Sequence, residues 1–242
     1  MGKVKPKRKS TLIDMTAMSD VTVLLLTFFM LTSTFLQKEP VTVITPASVS
    51  QEKVPTSNVV TVLVGTEEIN GKEEGKVFLS IAGDVDTLVG GSEKVRMNAL
   101  RNAAKRYKEL TNKDAGITDG DIEKFSKLNV FGVPMAAMHE FLQLSAEKQD
   151  EYMSELSNPN SGIPLTPIGP KTEPTNEFRM WMMAIMDAGN DNLKDAMKSG
   201  DGIAIKADGT TNYETMHEVL DNLQSNHMNR FSVMTALKSE SE

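Results

Sequence analysis

Asp20 has the clearest chemical potential of any residue in this sequence. It stands at the front of a run, from Val21 to Gln37, that holds no charged residue. On a helix turning 100° per residue, Thr16 lies four residues before Asp20, and Thr27 and Thr34 follow at seven-residue steps. Thr16, Asp20, Thr27 and Thr34 therefore form one polar stripe on an otherwise apolar rod. An ionisable side chain inside a membrane span costs about 2.5–3.5 kcal/mol to insert, so a plain anchor has no use for it. A carboxyl shielded from water can switch between neutral and charged forms near neutral pH. One charge moved through 100 mV releases about 2.3 kcal/mol. Such a group can take a proton from one side of a membrane and release it to the other, converting that energy into movement. One helix cannot enclose the path, so partner helices are required, and the stripe is expected to face them rather than lipid. The plainer reading of Asp20 is a charge that snorkels at the cytoplasmic interface. Asp14 lies off the stripe and reads as an interfacial charge.

The element that must carry this stripe is a helix from about Met15 to Leu36. It would rise about 33 Å, enough for a hydrocarbon core of about 30 Å. The leader, residues 1–14, opens with Lys3, Lys5, Lys7, Arg8 and Lys9. A basic N-terminal flank predicts a cytoplasmic N-terminus and everything beyond Lys38 outside the cytoplasm. A cleavable signal peptide also has a basic start and an apolar core. Against it stand Asp14, Asp20 and the lack of an Ala-x-Ala-type cleavage site. Residues 37–58 read as a linker holding three prolines. Within it VTVIT puts Val41, Val43 and Thr45 on one side, the alternation of a short strand. That strand is expected to add to the edge of a folded domain, including that of a second copy.

The body of the chain, residues 59–242, reads as an α+β domain with a small mixed sheet and helices. Val59–Val64 and Lys76–Ile81 pair as strands across a turn containing Asn70-Gly71. A helix of about Arg96–Leu110 presents Leu100, Ala103, Ala104 and Tyr107. Residues of about 112–200 read as a helical insertion, opened by a capping box at Thr118 and Asp121 and interrupted by a proline-rich loop over 157–175. The last block is strand (GIAIKAD), a turn at Asp208-Gly209, an amphipathic helix bearing Tyr213, Met216, Val219, Leu220 and Leu223, and a strand (NRFSVMTAL).

Composition narrows the function. The chain has 242 residues and a net charge of −7. Setting aside the five leader cations leaves 21 basic residues against 33 acids, a net of −12. Such an acidic body argues against nucleic acid as a partner. With no cysteine, disulfides, thiolate metal sites and a Cys nucleophile are excluded. His139, His217 and His227 fall in no metal-binding pattern. Asp114, Asp119 and Asp121 lack calcium-loop spacing, and Gly83–Gly91 lacks phosphate-loop spacing. The cluster Met180, Met182, Met183 and Met186 reads as core filling. Nothing resembles a nucleophile elbow. The expectation is a non-enzyme with no metal and no cofactor.

The N-terminal run IDMTAMSDVTVLLLTFFMLTSTF resembles the membrane span of the ExbD/TolR family of biopolymer-transport proteins. The family pattern is an apolar residue, Asp, Met, Thr, a small residue or Pro, Met, any residue, Asp, then a Leu/Phe-rich run. Here these are Ile13, Asp14, Met15, Thr16, Ala17, Met18, Ser19 and Asp20, with Ala17 where the family more often has Pro. The C-terminal strand–ADxxxxY–helix–strand order and the linker PAS are also similar. The resemblance implies a single-pass inner-membrane protein with a periplasmic C-terminal domain. It implies two copies inside a ring, usually pentameric, of an ExbB/TolQ-like subunit. Proton passage at Asp20 would then work a TonB- or TolA-like coupling protein. The competing reading is a membrane-anchored periplasmic binding or scaffold module with no proton role.

Overall fold

The computed structural model describes residues 15–32, 47–48, 57–69, 72–82, 91–155, 158–169, 175–207, 209, 211–234 and 236–237. The chain divides into two compact units, Met1–Lys38 and Glu39–Glu242. Within the first, α1 spans Met15–Thr32. Its 18 residues rise about 27 Å. The expected continuation to Leu36 lies outside the described residues. Among the described residues no helix is long and apolar enough to cross a membrane.

The second unit is a mixed α+β domain. Strand β1 (Ala47–Ser48) comes first, then the hairpin β2 (Val59–Ile69) and β3 (Lys72–Ala82), whose register runs from Val59 opposite Ala82 to Ile69 opposite Lys72. Both strands extend beyond the expected six residues, toward Asn70-Gly71. Three further strands complete a five-stranded sheet: β4 (Val130–Phe131), β7 (Ile203–Ala207) and β8 (Ser232–Val233). The order is β4-β3-β2-β7-β8, antiparallel on the β3 side and parallel from β2 through β7 to β8. Two minor ladders stand apart: β5 (Pro167–Ile168) with β6 (Thr175–Asn176), and β1 with β9 (Ala236–Leu237). The expected single last strand is thus two short ones, β8 and β9.

Consecutive residues Val62, Leu63 and Val64, and Val77, Phe78 and Leu79, are all buried. Neighbours along a strand point to opposite faces, so both faces of the sheet are covered. This is why VVTVLV and KVFLSI are near-continuous apolar runs rather than alternating ones.

Helix α2 (Gly91–Thr111) buries Val95, Ala99, Leu100, Ala103 and Tyr107, and Ala104 is half-buried. The region 112–200 supplies α3 (Asp119–Ser126), a 3-10 turn at Met135–Ala137, α4 (Met138–Gln143), α5 (Ala146–Ser154), α6 (Glu177–Ala188) and α7 (Asp191–Ser199). Sequence periodicity misses α7. It is short and buries only Leu193 and Met197, yet Asn190 caps it by accepting the Leu193 N–H, and Gly200 closes it at φ 111°. These helices share the domain's core. Trp181 of α6 stacks on Phe125 of α3 at 5.8 Å between ring centroids and lies 4.7 Å from the ring of Phe131. All three rings belong to the same buried cluster as Phe78 and Leu79 of the sheet.

Helix α8 (Tyr213–Ser225) buries Thr215, Val219 and Leu223. Tyr213, expected on its apolar stripe, is instead 79% exposed. As the first residue of the helix it precedes the buried side, and Thr215 takes the inward place. Gly75 of β3 is dictated by that contact, since a Cβ there would come within 2.0 Å of Thr215 Cγ2.

Candidate functional site

Helix α1 is built from Met, Leu, Phe, Val and Thr, with neither Gly nor Pro to interrupt it. Two of its threonines, Thr22 and Thr27, turn their hydroxyls inward along the backbone. Thr22 Oγ1 donates to the Met18 carbonyl at 2.8 Å, and Thr27 Oγ1 reaches the carbonyls of Val23 and Leu24, each at 3.0 Å. Such back-bonding lets a hydroxyl sit on an apolar helix without a vacant donor.

The one unbroken helix carries Thr16, Asp20 and Thr27 at positions that share a side, and all three are exposed. Thr34, Val41, Val43 and Thr45 lie outside the described residues. Apart from Thr16, Ser19, Asp20, Thr22 and Thr27, the exposed surface of α1 is apolar. Met18, Val21, Val23, Leu24, Leu25, Leu26, Phe28, Phe29, Met30 and Leu31 are all more than half exposed, from Leu25 at 51% to Leu31 at 87%. So large an exposed apolar surface marks a face suited to contact with lipid or other protein. In that setting Asp20 is the only ionisable side chain from Met15 to Thr32.

The folded unit holds a polar cluster that sequence reading resolved only as a cap. Asp121 is fully buried. Its Oδ2 accepts the Thr118 N–H at 2.9 Å and the Thr118 hydroxyl at 2.8 Å, and lies 2.8 Å from His139 Nδ1. Its Oδ1 accepts from Gln143 Nε2 at 2.7 Å. Burial pushes this carboxyl upward, but the Thr118 and His139 donors outweigh it and hold it below the usual carboxylate range. The cluster fastens α3 to α4. The spacing from Thr118 to Asp121 exposes the cap in the sequence, whereas His139 and Gln143 arrive through tertiary packing and carry no local signal.

A second buried carboxyl, Glu177, opens α6 and accepts the Met135 N–H at 2.8 Å. Burial pushes it up, and the Met135 bond opposes the shift. Asp114 pairs with Lys108 at 2.8 Å and accepts the Gly116 N–H, so it serves the loop rather than a cation. No group of three or more His, Cys, Asp or Glu side chains is placed to hold a metal among the described residues. Met180 and Met182 are buried as expected of core filling, and Met183 and Met186 are half-buried.

No curated protein and no solved structure matches the chain. A family model described as biopolymer transport protein ExbD/TolR matches residues 6–156, from the basic leader through α5. The match takes in Asp20, the hairpin and α2, and leaves the block from β7 to β9 outside it. With more than half of its length matched, this chain belongs to the ExbD/TolR family.

Proposed function

We propose that this chain is the proton-coupled, membrane-anchored subunit of an energy-transducing complex, with Asp20 as the proton carrier. Membership of the family implies energisation of biopolymer transport, association with the inner membrane and a non-enzymatic role. The observation that carries the finer reading is α1 itself: a largely apolar, exposed helix with a single carboxyl on its one polar stripe, behind a leader of five cations. A span of residues 15–36 then runs from a cytoplasmic leader to a periplasmic domain. Thr16, Thr27 and Thr34 face the partner helices on the Asp20 side, and an ExbB/TolQ-like ring supplies those helices. The linker strand Val41–Thr45 joins the folded domain to the moving span, and the domain hands the motion to a TonB- or TolA-like protein.

The other reading keeps the anchor and the domain but gives Asp20 no proton role. Replacing Asp20 by Asn separates the two, because an assembled complex that still drives uptake needs no ionisable group there. Topology is checked by protease added to spheroplasts, which should digest residues 60–242 and spare an N-terminal tag.

A further inference from the structure

The last turns of α2 and the first turns of α6 are separated by a cleft of about 510 Å³. A recess of about 540 Å³ adjoins it along α2, and the two share Glu109 and Leu110. Leu110, Ile168 and Met183 give this groove an apolar floor. Its charged lining is Arg106, Arg179 and Lys113 against one acid, Glu109. Arg106 is already paired with Asp187. Among the described residues Arg179 is held by neutral groups: its Nε donates to Asn226 Oδ1 at 3.0 Å and its Nη2 to the Ser225 carbonyl at 3.3 Å. Among those residues its charge is oriented and no carboxylate pairs with it. Among the described residues Lys113 has no ion pair. Among the described residues two cations without an ion pair thus face one acid, on a chain that carries a net −11 beyond residues 1–14. The α2 wall lies within the family-matched residues, and Ile168, Arg179 and Met183 lie beyond them.

The geometry points to a docking groove for an acidic, apolar segment of a partner protein. Apolar side chains of the segment would seat on Leu110, Ile168 and Met183, and its carboxylates would meet Arg179 and Lys113 at the rim. The Met183 thioether adapts to the shape presented to it. The inference stands whether or not Asp20 carries protons.

The test places the photo-crosslinker p-benzoylphenylalanine at position 183 of the full-length chain in its native cells, with adducts identified by mass spectrometry. The expected result is an adduct with a different protein, through a segment rich in Asp or Glu and large apolar residues. Lys113→Glu, a change at an exposed side chain that should leave the melting temperature unchanged, is expected to abolish it. Arg179→Gln is expected to weaken it. The Asp20→Asn chain should keep the adduct, so the groove and the proton role succeed or fail separately. No adduct, an adduct with a second copy or with lipid, an adduct through a non-acidic segment, or one indifferent to Lys113→Glu would each overturn the proposal.

Discussion

His139 Nδ1 lies 2.8 Å from Asp121 Oδ2, tying α4 to the capped first turn of α3 through a carboxylate with no exposed surface. Removing that carboxylate breaks the cap and the bonds from His139 and Gln143, but Thr118 and Gln143 are exposed and the His139 ring is partly exposed, so water can take up their donors. Asp121→Ala should therefore cost about 1–2 kcal/mol of domain stability in urea unfolding. The pH dependence follows from the depressed folded pKa. The contribution is full above the ordinary carboxylate range and is lost as pH falls through the folded value. The gap between wild type and Asp121→Ala should be constant near neutrality and close in acid.

Glu177 should behave with the opposite sign. Its folded pKa is raised by burial, so its contribution is full below the unfolded carboxylate value and declines as pH rises through the folded one. Glu177→Gln keeps an acceptor for the Met135 N–H and cannot ionise. It should melt higher than wild type at neutral pH, with the difference shrinking in acid. Glu177→Ala loses the acceptor and should melt lower at both.

Trp181 tests whether the 112–200 region is part of one core. Trp181→Ala should cost about 3–5 kcal/mol. It should also shift a single cooperative unfolding transition of the whole domain, followed by circular dichroism, rather than release the helices of 112–200 first.

Much of this architecture was legible as periodicity and punctuation. The near-continuous apolar runs within Val59–Val64 and Lys76–Ile81 mark strands, and Thr118 with Asp121 marks the start of α3. What escaped was set by tertiary context. α7 buries two side chains and shows too little pattern to be read. Tyr213 has the right spacing for the α8 stripe, but the helix begins at Tyr213, where its ring is solvated. The sheet pairing of Val130–Phe131 involves two residues, below any strand signal. For the site, Asp20 was visible because a carboxyl in an apolar run is costly, whereas the convergence of His139 and Gln143 on Asp121, nearly two dozen residues away at the farthest, leaves no local trace.

Thr27 offers a graded control on the membrane helix. Its hydroxyl already donates to the Val23 and Leu24 carbonyls, so the donor is satisfied within the helix. Thr27→Val keeps the shape and removes only a bond the backbone can do without. Uptake driven by the proton gradient should fall modestly, well short of the loss expected at Asp20. A Thr27→Val complex as inactive as the Asp20 variant would mean that the hydroxyl itself relays the proton.

The central claim is that Asp20 works by ionising. The most direct measurement is proton-motive-force-dependent outer-membrane uptake in cells carrying Asp20→Asn, with copurification of the partner ring assayed in the same strains. Asn matches Asp in size and polarity but cannot take up or release a proton. The account predicts a complex assembled to wild-type levels with uptake abolished, and partial activity for Asp20→Glu, where the carboxyl is displaced by one methylene. Full uptake by an assembled Asp20→Asn complex would contradict it and leave the helix as an anchor alone.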